Sequence, residues 1–83
     1  MPQYAVRFTY PTSPTLDDAV EGVLRDIAEV DLKTGETDAG GRHGDVWLIT
    51  ADDADHVTRL VAEVRARVPE ILDVALVENR GMV

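Results

Sequence analysis

The sequence predicts an α+β domain in two layers, one sheet covered on a single side by a pair of helices. Three observations predict it. Apolar residues recur at helical spacing in two stretches. The runs around them alternate apolar and polar with period two. The segments follow one another as strand, helix, strand, strand, helix, strand, an order that lets both helices cover one sheet face.

The first strand, Tyr4–Tyr10, sends Tyr4, Val6, Phe8 and Tyr10 to one side and Ala5, Arg7 and Thr9 to the other. Val6 and Phe8 are assigned to the helix-covered core. Pro11-Thr12-Ser13-Pro14 ends this strand, because proline removes a ladder donor and fixes φ. A helix is expected over Thr15–Val30, with Thr15 as N-cap and Asp18 completing a weak capping box. Leu16, Ala19, Val20, Val23, Leu24 and Ile27 form its apolar stripe. Gly22 interrupts that helix at a cost of about 1 kcal/mol relative to alanine. It either admits a close backbone or sits on an exposed face.

Asp31–Thr37 is polar and contains a glycine, so it fits an edge strand. Asp38 through Gly44 read as a glycine-rich turn. Asp45–Thr50, with the apolar run Val46-Trp47-Leu48-Ile49, reads as an interior strand. The second helix is expected over Asp52–Val68, capped by Asp52 or Asp53, with Ala54, Val57, Leu60, Val61, Val64 and Val68 on one face. Pro69 ends it. Ile71–Glu78 is the last strand, and Arg80 and Gly81 close the regular structure. Right-handed crossovers then order the antiparallel sheet 4-1-3-2, with the first and third strands central. This is the ferredoxin-like βαββαβ two-layer sandwich.

With 83 residues, the chain is read as a single domain spanning 1–83. A chain of this size has little room for a deep pocket, so a ligand is expected in a groove or between subunits. The net charge of −8 and scattered basic residues argue against nucleic acid and against an anionic membrane surface. Without cysteine there is no disulfide framework and no thiolate metal site. No apolar run is long enough to span a bilayer, and Met1-Pro2-Gln3 does not begin a signal peptide. The expectation is a cytoplasmic protein without cofactor.

Candidate chemistry is sparse. His43, between Arg42 and Asp45, is either a general base or anion contact, or an exposed turn residue. Asp52 and His56 have a spacing able to hold a metal, but two ligands do not make a site, and no metal site is assigned. The acidic groups Asp17, Asp18 and Glu21, and Asp52, Asp53 and Asp55, fall at helix starts, where carboxylates favour the positive end of the dipole. Trp47 on the outer sheet face would mark an interface with Arg7 and Thr9, and on the inner face it would be core; the alternation does not decide. The clearest binding candidate is the loop Thr12, Ser13, Pro14, Thr15 and Leu16, where free N–H groups of a helix start face outward toward an anion.

At this loop the chain resembles the ACT domain family, whose members carry a D-x-P-G-x-L motif between the first strand and first helix. Ser13-Pro14-Thr15-Leu16 is the nearest match, with Thr15 in the region of the family's glycine. Leu48-Ile49-Thr50-Ala51-Asp52-Asp53-Ala54-Asp55-His56 is similar to the family's third-strand-to-second-helix passage. Ile71-Leu72-Asp73-Val74-Ala75-Leu76-Val77 is similar to its last strand. The resemblance implies a non-enzymatic regulatory domain that binds an amino acid-like carboxylate between paired domains, at Thr12–Leu16. It also implies a homodimer or larger homo-oligomer. The alternative is a ligand-free interaction or oligomerisation module using Arg7, Thr9 and Trp47.

Overall fold

The computed structural model describes residues 2–37 and 40–78. The expected ends of the regular structure at Arg80 and Gly81, and Asp38 and Ala39 of the expected turn, lie outside these residues. The elements are β1 (Gln3–Pro11), α1 (Pro14–Ile27), β2 (Glu29–Thr37), β3 (Arg42–Thr50), α2 (Ala54–Arg67) and β4 (Asp73–Glu78). All strand pairs are antiparallel, in the order β2-β3-β1-β4. Read from the other edge, this is the 4-1-3-2 order of the ferredoxin-like sandwich.

The element bounds differ from the sequence reading in ways that local chemistry explains. α1 begins at Pro14, with Ser13 rather than Thr15 as N-cap. Proline suits the first helical position because its φ is already set and its missing N–H would have no intrahelical partner. The helix stops at Ile27, and Val30 is buried in β2 instead of extending α1. β3 begins at Arg42, so His43 belongs to a strand and not to a turn. Asp53 caps α2 by accepting from the His56 N–H. In return, His56 Nδ1 accepts from the Asp52 N–H at 3.1 Å.

The core lies between the sheet and the helices. Tyr4, Val6, Phe8 and Tyr10 of β1 face it with Trp47 and Ile49 of β3. Val20 and Leu24 of α1, and Val57, Leu60 and Val64 of α2, cover them. Gly22 sits on the exposed side of α1 with nothing near it, which settles its two readings in favour of the open face. Arg67 ties the helices together, reaching Asp26 of α1 at 2.9 Å.

Trp47 is only 2% exposed and lies on the helix side, so it is not part of an outer-face surface with Arg7 and Thr9. Its partner Val6 across β1 fixes that face. Arg25 of α1 stacks over the indole, 5.8 Å from its centre.

A bulge in β2 shapes the far end of the sheet. The register of β2 against β3 shifts between Leu32 and Thr34, inserting Lys33 as an extra residue. Side-chain direction has period two, so one extra residue exchanges the two faces beyond it. Gly35 and Thr37 therefore turn to the helix side, opposite Asp45 and His43.

Candidate functional site

Two cross-strand rows on the helix side build a polar cluster at this end. One row runs Thr37, His43, Tyr10 and the next Gly35, Asp45, Phe8, across β2, β3 and β1. The first turn of α1 then lays Asp17 over Tyr10. That turn is placed by the short β1–α1 loop, whose Thr12 N–H donates to the Gly41 carbonyl at 2.9 Å.

The Tyr10 hydroxyl stands 2.7 Å from Asp17 Oδ1 and 2.5 Å from Asp45 Oδ2. His43 Nε2 stands 2.5 Å from Asp45 Oδ1 and 3.7 Å from Asp17 Oδ1. Its other nitrogen, Nδ1, is 2.8 Å from Thr37 Oγ1. Nε2–H must donate to Asp45, since a carboxylate can only accept. The rings of Tyr10 and His43 lie 5.5 Å apart and tilted.

Burial grades across the cluster. Tyr10 is fully buried and Asp45 is the one buried charged residue among the described residues, while the Asp17 side chain is 46% exposed. Burial, then the hydrogen bonds to Asp17 and Asp45 and the two negative charges, push the Tyr10 phenol well above its ordinary value. It stays a neutral donor at any physiological pH.

Gly35 has a specific reason to be glycine. A Cβ there would meet Asp45 Oδ1 at 2.7 Å, too close for any side chain without a shift. The space above the carboxylate is kept open by the absence of one carbon atom.

The loop singled out from sequence lies at the start of the same helix. Thr12, Pro14 and Thr15 are exposed, and Ser13 and Leu16 are half-buried. Ser13 has the extended backbone of an N-cap, yet its side chain makes no capping hydrogen bond. Arg7 and Thr9 point to the opposite sheet face. There they line a shallow groove of about 310 Å³ with Thr34, Glu36, Arg42 and Val46. The Arg7 stem lies across Gly44, with Cδ 3.6 Å from where a Cβ would stand. Trp47 is absent from that groove, being core.

Sequence reading missed Tyr10, Asp17 and Asp45 as a unit. The available signal was the alternation of β3: once His43 is read as strand, His43 and Asp45 fall on the same face as Trp47 and Ile49. Two titratable side chains on a core-facing row call for partners. His56, in contrast, is occupied as a cap, and Asp52 and His56 gather no third ligand among the described residues.

Sheet order and helix placement give the chain the ferredoxin-like fold of an ACT-like domain. No protein-family model matches the chain, and no curated protein matches it either. Solved structures do. The solution NMR structure of the ACT domain from GTP pyrophosphokinase of Chlorobium tepidum has a TM-score of 0.70 at 18% identity, covering 93% of this chain and 86% of that one. The crystal structure of the ACT domain from the same protein has a TM-score of 0.65 at 14% identity, covering 90% of this chain and 96% of that one. At such identities the likeness is one of fold. Among the described residues, no helix is long and apolar enough to cross a membrane.

Proposed function

We propose that this chain is an ACT-like regulatory domain that binds a small carboxylate-bearing, amino acid-like metabolite at Thr12–Leu16, between paired subunits. The observation that carries the reading is the uncapped start of α1. The Ser13 side chain makes no hydrogen bond to the first-turn N–H groups, so an incoming carboxylate can take that place. Asp17, half exposed in the same turn, supplies an acceptor for the ligand's ammonium group. The loop is open to solvent, and a second subunit would close it. Ligand that favours the paired state would shift assembly, and through it a partner's activity. A cytoplasmic setting belongs to this reading.

The test is calorimetric titration of metal-free protein with a panel of amino acids and related metabolites, with light scattering before and after. Saturable heat from one class, weakened in Asp17→Ala, supports the proposal. No heat from any member overturns it.

A second reading, a ligand-free assembly module, is favoured by one observation. Leu72, Leu76 and Val77 are exposed at or beside edge strand β4, and Leu32 is exposed on edge strand β2. Apolar side chains on unpaired edges invite pairing with another chain. A concentration-dependent dimer that ignores every metabolite would select this reading.

A further inference from the structure

We propose that Asp17, His43 and Asp45 form a binding site for one divalent transition-metal ion of the zinc class. The site is distinct from the metabolite loop in its ligands, apart from Asp17, and does not depend on that reading.

The first argument is geometric. One ligand atom from each of the three residues lies within 4.8 Å of the others. An ion with N and O ligands at roughly 2.0–2.2 Å, arranged tetrahedrally, spaces those ligands about 3.4 Å apart. Asp17 Oδ1 and His43 Nε2, at 3.7 Å, already stand near that spacing. Asp45 Oδ1, now hydrogen-bonded to Nε2, has to move away by less than the width of an atom. The donor set of one imidazole and two carboxylates suits Zn²⁺, Co²⁺ or Ni²⁺.

The second argument is the gathering of acid groups. Tyr10 touches both Asp17 and Asp45, and His43 touches Asp45. Two carboxyl groups thus converge on one phenol and one imidazole, and a cation between them would offset their mutual repulsion.

The surroundings meet the remaining requirements. Thr37 Oγ1 can accept from Nδ1–H, which turns the Nε2 lone pair toward the carboxylates. The proton displaced from Nε2 is accommodated by this change of tautomer. Tyr10 anchors a carboxylate from behind. Gly35 keeps the space at Asp45 Oδ1 clear. Asp17 stands at the exposed rim and leaves an entry path. The start of α1 opposes a cation there through its dipole, while the chain's net charge of −8 attracts one.

The test uses the chain stripped by chelator and titrated with Zn²⁺ alone, by calorimetry, with Co²⁺ as the visible-absorbing substitute. One ion per chain is expected, with a Co²⁺ spectrum of low coordination number and a perturbed His43 imidazole in nitrogen-edited NMR. His43→Ala and Asp17→Asn should each weaken binding by roughly 10–100-fold or more, and His56→Ala should leave it unchanged. Asp17 is half exposed, so Asp17→Asn keeps the question answerable if Asp45 variants do not fold. Circular dichroism and Trp47 fluorescence verify folding. Absence of binding overturns the proposal. So does binding that survives His43→Ala, or that disappears in His56→Ala. Amino acids are titrated separately on the metal-free chain, so failure of this site and failure of the metabolite reading remain distinguishable.

Discussion

The phenol oxygen of Tyr10 lies 2.5 Å from Asp45 Oδ2, joining β1 to β3 through side chains 35 positions apart in sequence. Each also has a second partner, Asp17 for the hydroxyl and His43 for the carboxylate. Asp45 needs donors for a buried carboxylate, and Tyr10 needs an acceptor for a buried hydroxyl.

Tyr10→Phe keeps the ring and removes the donor. The Asp45 carboxylate then keeps His43 as its remaining partner among the described side chains. A loss of roughly 1–3 kcal/mol is expected, the usual cost of stranding a buried polar group. Urea denaturation followed by Trp47 fluorescence measures it. An unchanged midpoint would show that Tyr10 and the carboxylates do not support one another.

Alkaline pH should weaken the fold through the same residue. The unfolded phenol titrates near its ordinary 10.0, while the folded one holds its proton to higher pH. Above that value the folded chain binds more protons than the unfolded chain, so unfolding becomes easier as pH rises. The Tyr10 contribution is complete below about pH 10 and fades as pH climbs toward the folded value. Comparing denaturation curves of the native chain and Tyr10→Phe across this range isolates it. Parallel pH profiles would contradict the assignment.

Gly35→Ala should cost roughly 1–3 kcal/mol, because the added carbon crowds a carboxylate that Tyr10 and His43 hold in place. The new methyl group would displace Asp45 Oδ1, which lies 2.7 Å from its position. The His43 ring resonances should move with it, because Nε2 donates to that same oxygen. A stable variant with an unperturbed His43 would disprove the crowding.

Gly22→Ala acts in the opposite direction. The position is exposed inside α1 and nothing lies within 4 Å of the added carbon. Alanine lowers the entropy of the unfolded chain without strain, so a gain of roughly 0.4–1 kcal/mol is expected. Thermal denaturation checks the sign.

Asp53→Ala removes the acceptor that caps α2 and should cost about 1 kcal/mol. Asp52→Ala should cost less, because Asp52 serves His56 through its backbone N–H, which alanine retains. Equal losses in chemical denaturation would rule out this division of roles.

Much of the fold was legible because it depends on near neighbours in the chain. The stripes Val20 and Leu24, and Val57, Leu60 and Val64, encode which side of each helix is buried, since helical spacing alone sets that direction. The central places of β1 and β3 follow from their apolar content and the handedness of crossovers. Boundaries were less legible where two local rules competed: Pro14 could end a loop or open a helix, and the helix took it.

The candidate site was only half legible. The β1–α1 loop could be placed from its prolines, and His43 could be singled out, but not Tyr10, Asp17 or Thr37 beside it. Apart from Asp45, two positions on in β3, its neighbours come from β1, β2 and α1, and nothing in their spacing along the chain connects them.

By itself the sequence determined the element order, the buried stripes and the layering of helices on a sheet, because side-chain direction within an element is a local property of the backbone. Packing between distant segments, in contrast, turned Trp47 inward and gathered Tyr10, Asp17, His43 and Asp45 into one cluster. Those outcomes depend on strand register, and a single extra residue at Lys33 sets which side chains of β2 stand opposite them. Register is a relation between distant segments, chosen by packing and pairing together, so no window of the chain contains it.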